Sequence, residues 1–144
     1  MSRSPAGCDA LDDDAFHAAF NGGLVAKDVF RHREHVRLAF ICLSRHSDLA
    51  DAALHFRQAF RRFVVAQGVA HVYNETLTWA YLVLVNQAMH EKPAGDSFEF
   101  LRQNPDLCDH RGGLIGRYYD LEQVTRSALA KELFVLPTAK PPAT

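Results

Sequence analysis

The sequence predicts an all-α fold: a single-domain helical bundle of four main helices with short accessory helices. Several stretches repeat apolar residues at three- and four-residue spacing, the period of a helix that buries one face. No stretch alternates apolar and polar residues between turn signals, as a half-buried strand would. Apolar residues make up 48% of the 144 residues and charged residues 23%, a balance that supports one hydrophobic core.

The first two main helices are predicted from charge and apolar spacing. Three aspartates at 12–14 favour a helix start because negative charge stabilises the first turn. An Asn-Gly-Gly sequence at 21–23 ends this helix. A second helix is expected over about 33–45. Its stretch 36–43 is apolar except for Arg37, which predicts a position near the centre of the bundle.

The third and fourth helices follow the same logic. Apolar residues keep helical spacing from Leu49 until Gln67-Gly68, and three arginines on the other face are expected to be solvated: Arg57, Arg61 and Arg62. The fourth helix begins near Tyr73 or Asn74 and reaches about His90. It is apolar almost all round, which again predicts a central position, and Pro-Ala-Gly at 93–95 ends it.

Shorter elements complete the expected domain. A short helix is predicted over 97–102, followed by a loop through Asn104-Pro105. Glycines 112, 113 and 116 keep the next piece irregular, and a last helix is expected over 121–133. The helical domain therefore spans 11–136. The N-terminal residues 1–10 and the C-terminal residues 137–144 are expected to be flexible.

Composition excludes several classes of function. Sixteen basic and seventeen acidic residues give a net charge of −1, so no basic field favours a nucleic-acid partner. The longest apolar stretch, 77–85, is far shorter than the roughly 20 residues that span a bilayer, and residues 1–10 lack a signal-peptide run. Three widely spaced cysteines do not form a disulfide framework. A cytoplasmic protein without a membrane partner is expected.

A first motif, Phe-Arg-His-Arg-Glu-His-Val-Arg-Leu-Ala at 30–39, carries two histidines at helical spacing. His32 and His35 are three residues apart, so a helix places them about 60° apart on one face. Two imidazoles on adjoining turns can share a metal ion. They also stand where the chain enters an otherwise apolar helix.

A second motif, His-Val-Tyr-Asn-Glu-Thr-Leu-Thr at 71–78, gathers polar groups at the start of the fourth helix. His71 and Glu75 are four residues apart and share one stripe if the helix already covers His71. Thr78 continues this stripe, and Tyr73 lies just beside it. Because burial of such groups costs free energy unless each is paired, their concentration here indicates a site.

Together the two motifs predict a metal centre. If the second and fourth helices pack with these ends together, His32, His35 and Glu75 supply two nitrogens and one oxygen to a divalent ion. His71 would be a fourth ligand or a partner of a ligand. Iron, copper or zinc suits this ligand set, and the apolar helix walls would enclose a small organic substrate, aromatic or amino-acid-like.

Further roles are assigned around this centre. Glu75 is the general base if it does not bind the metal, and His35 and Tyr73 are the other candidate catalytic residues. The substrate pocket is predicted from four more side chains: Arg37, Thr76, Thr78 and Tyr118. The last of these belongs to an Arg-Tyr-Tyr cluster at 117–119, which would either supply buried packing area or close over the site. Histidines 17, 46, 55 and 90 need no functional role.

Three segments together resemble a group of small bacterial all-helical proteins. The pattern of that group runs F-x-H-R-x-H-x-R-x-A, then Y-x-E-T-x-T, then a late R-Y-Y. Here these segments are residues 30–39, 73–78 and 117–119. The resemblance covers about residues 16–137 and implies no particular reaction. The residue before the glutamate is often histidine in that pattern, whereas this chain has Asn74, so ligation there would pass to His71.

The preferred hypothesis is therefore a small metal-dependent enzyme of the oxygenase, hydrolase or lyase type. Three alternatives stay open. In the first, the chain is a non-catalytic helical module that binds a ligand or a protein, including a second copy of itself as a homodimer. In the second, it is a metal-free lyase or isomerase that uses His35 and Glu75 as acid and base. A third, structural reading makes the polar group a buried network in which Glu75 pairs with Arg37.

Overall fold

The computed structural model describes residues 8–110 and 113–137, and its all-helical fold confirms the predicted fold class. The α-helices are α1 (Asp13–Asn21), α2 (His32–Arg45), α3 (Leu49–Ala66), α4 (Glu75–Glu91), α5 (Ser97–Gln103), α6 (Pro105–Cys108), α7 (Leu121–Arg126) and α8 (Ala128–Glu132). Three 3₁₀ turns lie at Lys27–Val29, Ala70–Val72 and Leu114–Arg117. Within the described ranges there is no strand, and no helix combines the length and hydropathy needed to cross a membrane.

Capping side chains set the starts of three main helices. The side chains of Asp12, Asp48 and Asn74 accept hydrogen bonds from backbone N–H groups in the first turns of α1, α3 and α4. Just beyond the ends of α1 and α3, Gly23 and Gly68 adopt positive φ angles of 76° and 74°, which glycine tolerates best. These boundaries agree closely with the predicted ones.

Helix α2 lies at the centre of the bundle, as its apolar run predicts. It packs against α3, α4 and α5, and every residue from Val36 to Leu43 is buried. The main core gathers phenylalanines from α1, α3 and α5 around this helix. A smaller cluster of buried residues joins α4 to the C-terminal helices. Packing of α8 against α4 therefore fixes the C-terminal segment beside the start of α4.

Two predicted elements differ from the structure. The segment expected as a loop at Asn104-Pro105 begins the one-turn helix α6, because proline is tolerated in the first turn of a helix. The single helix expected over 121–133 is divided at Ser127, whose hydroxyl accepts the N–H of Ala130 and so caps α8. Most of the terminal segments predicted to be flexible, and Gly112, lie outside the described residues.

Candidate functional site

A cavity of about 450 Å³ lies between α2, α3 and α4. Its apolar walls come from Ala39, Phe56, Phe60, Val72, Leu77 and Leu82. Its polar lining consists of His32, His35, His71, Asn74, Thr78, Tyr81, His110, Thr125 and Lys131. Apolar walls with a few convergent polar groups are typical of sites for small organic molecules.

The two histidines of the first motif both line this cavity from the first turn of α2. Nε2 of His32 lies 2.9 Å from the carbonyl oxygen of Leu107, and Nδ1 of His35 lies 2.9 Å from that of Arg31. A carbonyl oxygen can only accept, so each of these nitrogens carries the hydrogen. In the uncharged rings, the lone pair is therefore on Nδ1 of His32 and on Nε2 of His35.

Burial keeps both rings uncharged at neutral pH. Loss of solvent lowers the pKa of His32 and that of His35 to about 4, although their hydrogen bonds to backbone carbonyls act in the opposite direction. The His35 ring packs against Phe30 and Phe60, with ring centroids 4.4 and 4.9 Å away. His35 also lines the cavity, and the apolar side chains there disfavour the charged imidazolium.

A third imidazole, His110, was not singled out from the sequence as a site residue. Its ring centroid lies 4.7 Å from that of His32, and its Nδ1 lies 3.0 Å from the hydroxyl oxygen of Tyr81. The Tyr81 ring also packs against that of His32 in a tilted arrangement, with centroids 4.7 Å apart, and burial raises the pKa of the Tyr81 hydroxyl. His110 lies in a loop far along the chain from both motifs, so no local spacing pointed to it.

Glu75 lies apart from the cavity histidines, contrary to its predicted role as their co-ligand. Its Oε1 accepts the hydroxyl of Tyr73 at 2.7 Å, and its Oε2 accepts the indole N–H of Trp79 at 2.9 Å. Arg57 and Arg61 form ion pairs with it at 2.8 and 3.3 Å. Both carboxylate oxygens are therefore engaged, and Glu75 does not line the cavity.

The same network accounts for the charge of Glu75. Burial acts to raise the pKa of the carboxyl group, but hydrogen bonds from Tyr73, Arg57 and Trp79 outweigh it, so the pKa is lowered. Arg61 also lies over the Tyr73 ring, 4.4 Å from its centroid. The two arginines of α3 expected to be solvated thus hold the start of α4, and Tyr73 serves this network rather than the cavity.

Arg37, a predicted pocket residue, is fully buried away from the cavity. Its Nε donates to the Ser97 hydroxyl at 2.7 Å, and its terminal nitrogens donate to the carbonyls of Cys8 and Leu11 at 2.9 and 2.6 Å. Asp13 completes the ion pair at 3.3 Å. This guanidinium joins α1, α2 and α5, so the alternative pairing of Arg37 with Glu75 does not occur.

Of the remaining predicted residues, two line the cavity and two do not. The Thr78 side chain is buried there and donates to the carbonyl of Asn74 at 2.9 Å, while His71 is exposed at the rim. Thr76 instead hydrogen-bonds the backbone at Leu133 and Val135. Tyr118, like Thr76, lies outside the cavity lining, and its side chain is exposed.

A second histidine group lies at the surface, where α2 meets α3. Nδ1 of His46 is 3.0 Å from Oδ2 of Asp51, and Nδ1 of His55 is 3.7 Å from Oδ1 of the same carboxylate. The two rings stack with centroids 4.1 Å apart. This group could hold a metal ion, since its three potential ligand atoms lie within 4.8 Å of one another.

The metal set predicted from the motifs does not assemble. Across residues 8–110 and 113–137, the surface group is the one set of three metal-binding side chains that meets this spacing, so His32, His35 and Glu75 do not meet it. The sequence signal for the surface group was the four-residue spacing of Asp51 and His55. No protein-family profile, curated protein or solved structure matches the chain, and the resemblance to small bacterial helical proteins stays a prediction.

Proposed function

We propose that the cavity binds a small, largely apolar organic molecule and that His32 and His35 accept protons from it, as in a lyase or an isomerase. One observation carries this proposal: two uncharged imidazoles with fixed hydrogen positions line a cavity that has extensive apolar walls. An imidazole nitrogen with a lone pair is the commonest proton acceptor in enzymes. Because one nitrogen of each ring donates to a backbone carbonyl, the other nitrogen keeps the lone pair that would accept a proton.

Other cavity groups complete this assignment. The hydroxyl of Tyr81, held by His110, lies beside His32 and is suited to hydrogen-bond an oxygen of the bound molecule. Glu75 has no part in this chemistry, because its carboxylate is bound by Arg57, Arg61, Tyr73 and Trp79. The proposal thus keeps the metal-free alternative raised by the sequence, with histidine in place of Glu75 as the base.

A second candidate function is binding of a divalent cation, which the surface group favours. His46, Asp51 and His55 offer two nitrogens and one oxygen, a ligand set suited to zinc, copper or iron. The cavity offers less support for a metal-dependent reaction, since Glu75, the predicted third ligand of His32 and His35, is engaged elsewhere. We therefore assign the cation to the surface and the organic molecule to the cavity.

Ring opening of 5-nitrobenzisoxazole tests the proposed base. In this reaction a base removes the proton from carbon, the N–O bond breaks, and the coloured 2-cyano-4-nitrophenolate forms. The probe is flat and apolar, so the cavity should admit it. The lowered pKa makes each ring a weaker base than free imidazole, so its positioning beside the probe must supply the rate. We expect the protein to exceed an equal concentration of free imidazole for this reason, and His32→Phe and His35→Phe together to lose at least about tenfold in rate.

Two control variants test whether basic groups other than His32 and His35 cause the ring opening. The double variant His46→Ala/His55→Ala removes two imidazoles outside the cavity, and Glu75→Gln removes the carboxylate. Both should retain the wild-type rate. A wild-type rate no greater than that of free imidazole, or loss of the rate in Glu75→Gln with the rate retained in the His32 and His35 variants, would overturn the proposal.

A further inference from the structure

The charge of the cavity lining restricts what the cavity can bind. Among the described residues that line it, none is an aspartate or a glutamate, and one is a lysine, Lys131 of α8. Its remaining polar groups are imidazoles, hydroxyls and one amide. Charge complementarity therefore disfavours a cationic ligand, which would meet Lys131 without a carboxylate to balance it.

Lys131 has no anionic partner in the described part of the chain. Its side chain is half-buried, yet it forms no ion pair with any described carboxylate. Glu132, the next residue, is exposed and lines only a neighbouring cavity. A half-buried ammonium is more stable when an anion accepts its hydrogen bonds.

Other polar groups of the lining are already engaged within the protein. The Asn74 amide nitrogen donates to the carbonyl of Val124, and its oxygen accepts the N–H of Leu77, each at 2.9 Å. The hydroxyl of Thr78 donates to the backbone. No hydrogen bond joins these oxygens to the Lys131 side chain in the described structure, so an anionic ligand would supply an acceptor for it.

The position of Lys131 orients such a ligand. Lys131 and the exposed His71 also line the neighbouring cavity beside Arg61, which places both at the outer end of the larger cavity. Phe56 and Leu82 are buried and provide apolar walls further in. An anionic end would therefore face Lys131 while an apolar body lies inside.

We infer that the ligand of the cavity is a small organic carboxylate, with its carboxylate at Lys131 and its aromatic or aliphatic body against Phe56, Phe60 and Leu82. A carboxylate fits better than a phosphate ester, because the lining holds a single permanent cation and its walls are apolar. This inference rests on the proposed function, since it names the class of molecule that the same cavity accepts.

Three matched probes test the inference on the full chain: 3-phenylpropanoate, 3-phenylpropanamide and 3-phenylpropylamine. Calorimetry gives their affinities, and the ring ¹⁵N signals of His35 report whether each probe enters the cavity. We expect the carboxylate to bind about tenfold more tightly than the amide, and the amine to bind least. Lys131→Gln should remove this preference.

A matched control and separate outcomes keep the test decisive. Lys92→Gln removes an exposed lysine outside the cavity lining and should retain the preference. If the amide or the amine binds as tightly as the carboxylate and shifts the His35 signals, the carboxylate assignment is overturned while the cavity remains a binding site. The assignment also fails if Lys131→Gln retains the preference. If no probe binds or shifts those signals, both the inference and the proposed function fail.

Discussion

The two histidine clusters of this chain differ in their surroundings: one lines a cavity with apolar walls, and the other lies at the surface beside a carboxylate. In the cavity, His32 and His35 each donate to a backbone carbonyl and lie among apolar walls. At the surface, His46 lies 3.0 Å from the carboxylate of Asp51, and His55 lies 2.9 Å from the backbone carbonyl oxygen of Asp51 and 3.7 Å from the same carboxylate. A carboxylate stabilises a protonated or metal-bound imidazole, whereas loss of solvent in the cavity favours the uncharged ring even though the carbonyl hydrogen bonds act in the opposite direction. The comparison teaches that the partner and the solvent, not the spacing, set what a histidine pair can do.

The largest expected effect is on acid stability. The pKa of His32 and that of His35 are lowered from the ordinary 6.5 to about 4, so the unfolded chain binds more protons between these values. The free energy of unfolding should therefore fall as the pH drops from about 6.5 to about 4, by up to about 3 kcal/mol for each ring, and no further from these rings below that. Urea unfolding at a series of pH values measures this loss.

Substitution of each histidine by phenylalanine tests whether the cavity rings cause this loss of stability at acid pH. His32→Phe and His35→Phe should each flatten the pH dependence, because phenylalanine cannot be protonated. An unchanged slope in both phenylalanine variants would break the comparison, since the buried rings would then contribute nothing to acid sensitivity.

A smaller effect is expected from divalent cations at the surface group. Zinc at about 100 times its dissociation constant should stabilise the folded chain by about 2.7 kcal/mol, because the three ligands are held together only in the folded state. His46→Ala and His55→Ala should each abolish most of this gain, measured as a shift of the thermal midpoint. His32→Phe/His35→Phe should keep it. Loss of the zinc effect in the cavity variant alone would reverse the assignment of the two clusters.

The smallest effect is expected at Glu75. This residue sharpens the comparison because its substitution should lower stability without changing the chemistry of the cavity. Glu75→Gln should lower the free energy of unfolding by about 1–2 kcal/mol, because it weakens ion pairs with the partly exposed Arg57 and Arg61. Glu122→Gln, which removes a carboxylate exposed on α7, is the control and should have almost no effect. Chemical denaturation checks both, and equal losses in the two variants would contradict the account.

The sequence predicted what depends on local spacing. Helical periodicity and caps placed α1 to α4 closely, and the three-residue spacing placed His32 and His35 on one face. That spacing needed no knowledge of distant residues. The end of α2 that carries these histidines does meet the start of α4, as the motifs implied, because Asn74 and Thr78 line the same cavity.

Features that depend on tertiary packing could not be predicted from the spacing of residues in the sequence. Glu75 lies on α4 as expected, but the rotation of that helix turns its carboxylate to the arginines of α3. Arg37 interrupts an apolar run because it is a buried link between helices. His110 reaches the cavity from a loop, and only the path of the chain brings it to His32.

The most direct test of the central claim is the state of the two cavity rings, measured by long-range ¹H–¹⁵N correlation spectra of the histidines. At about pH 5.5 we expect both rings to be uncharged, with the hydrogen on Nε2 of His32 and on Nδ1 of His35. The variants His32→Phe and His35→Phe assign the signals. Imidazolium signals from both rings at that pH, or hydrogens on the opposite nitrogens, would contradict the account.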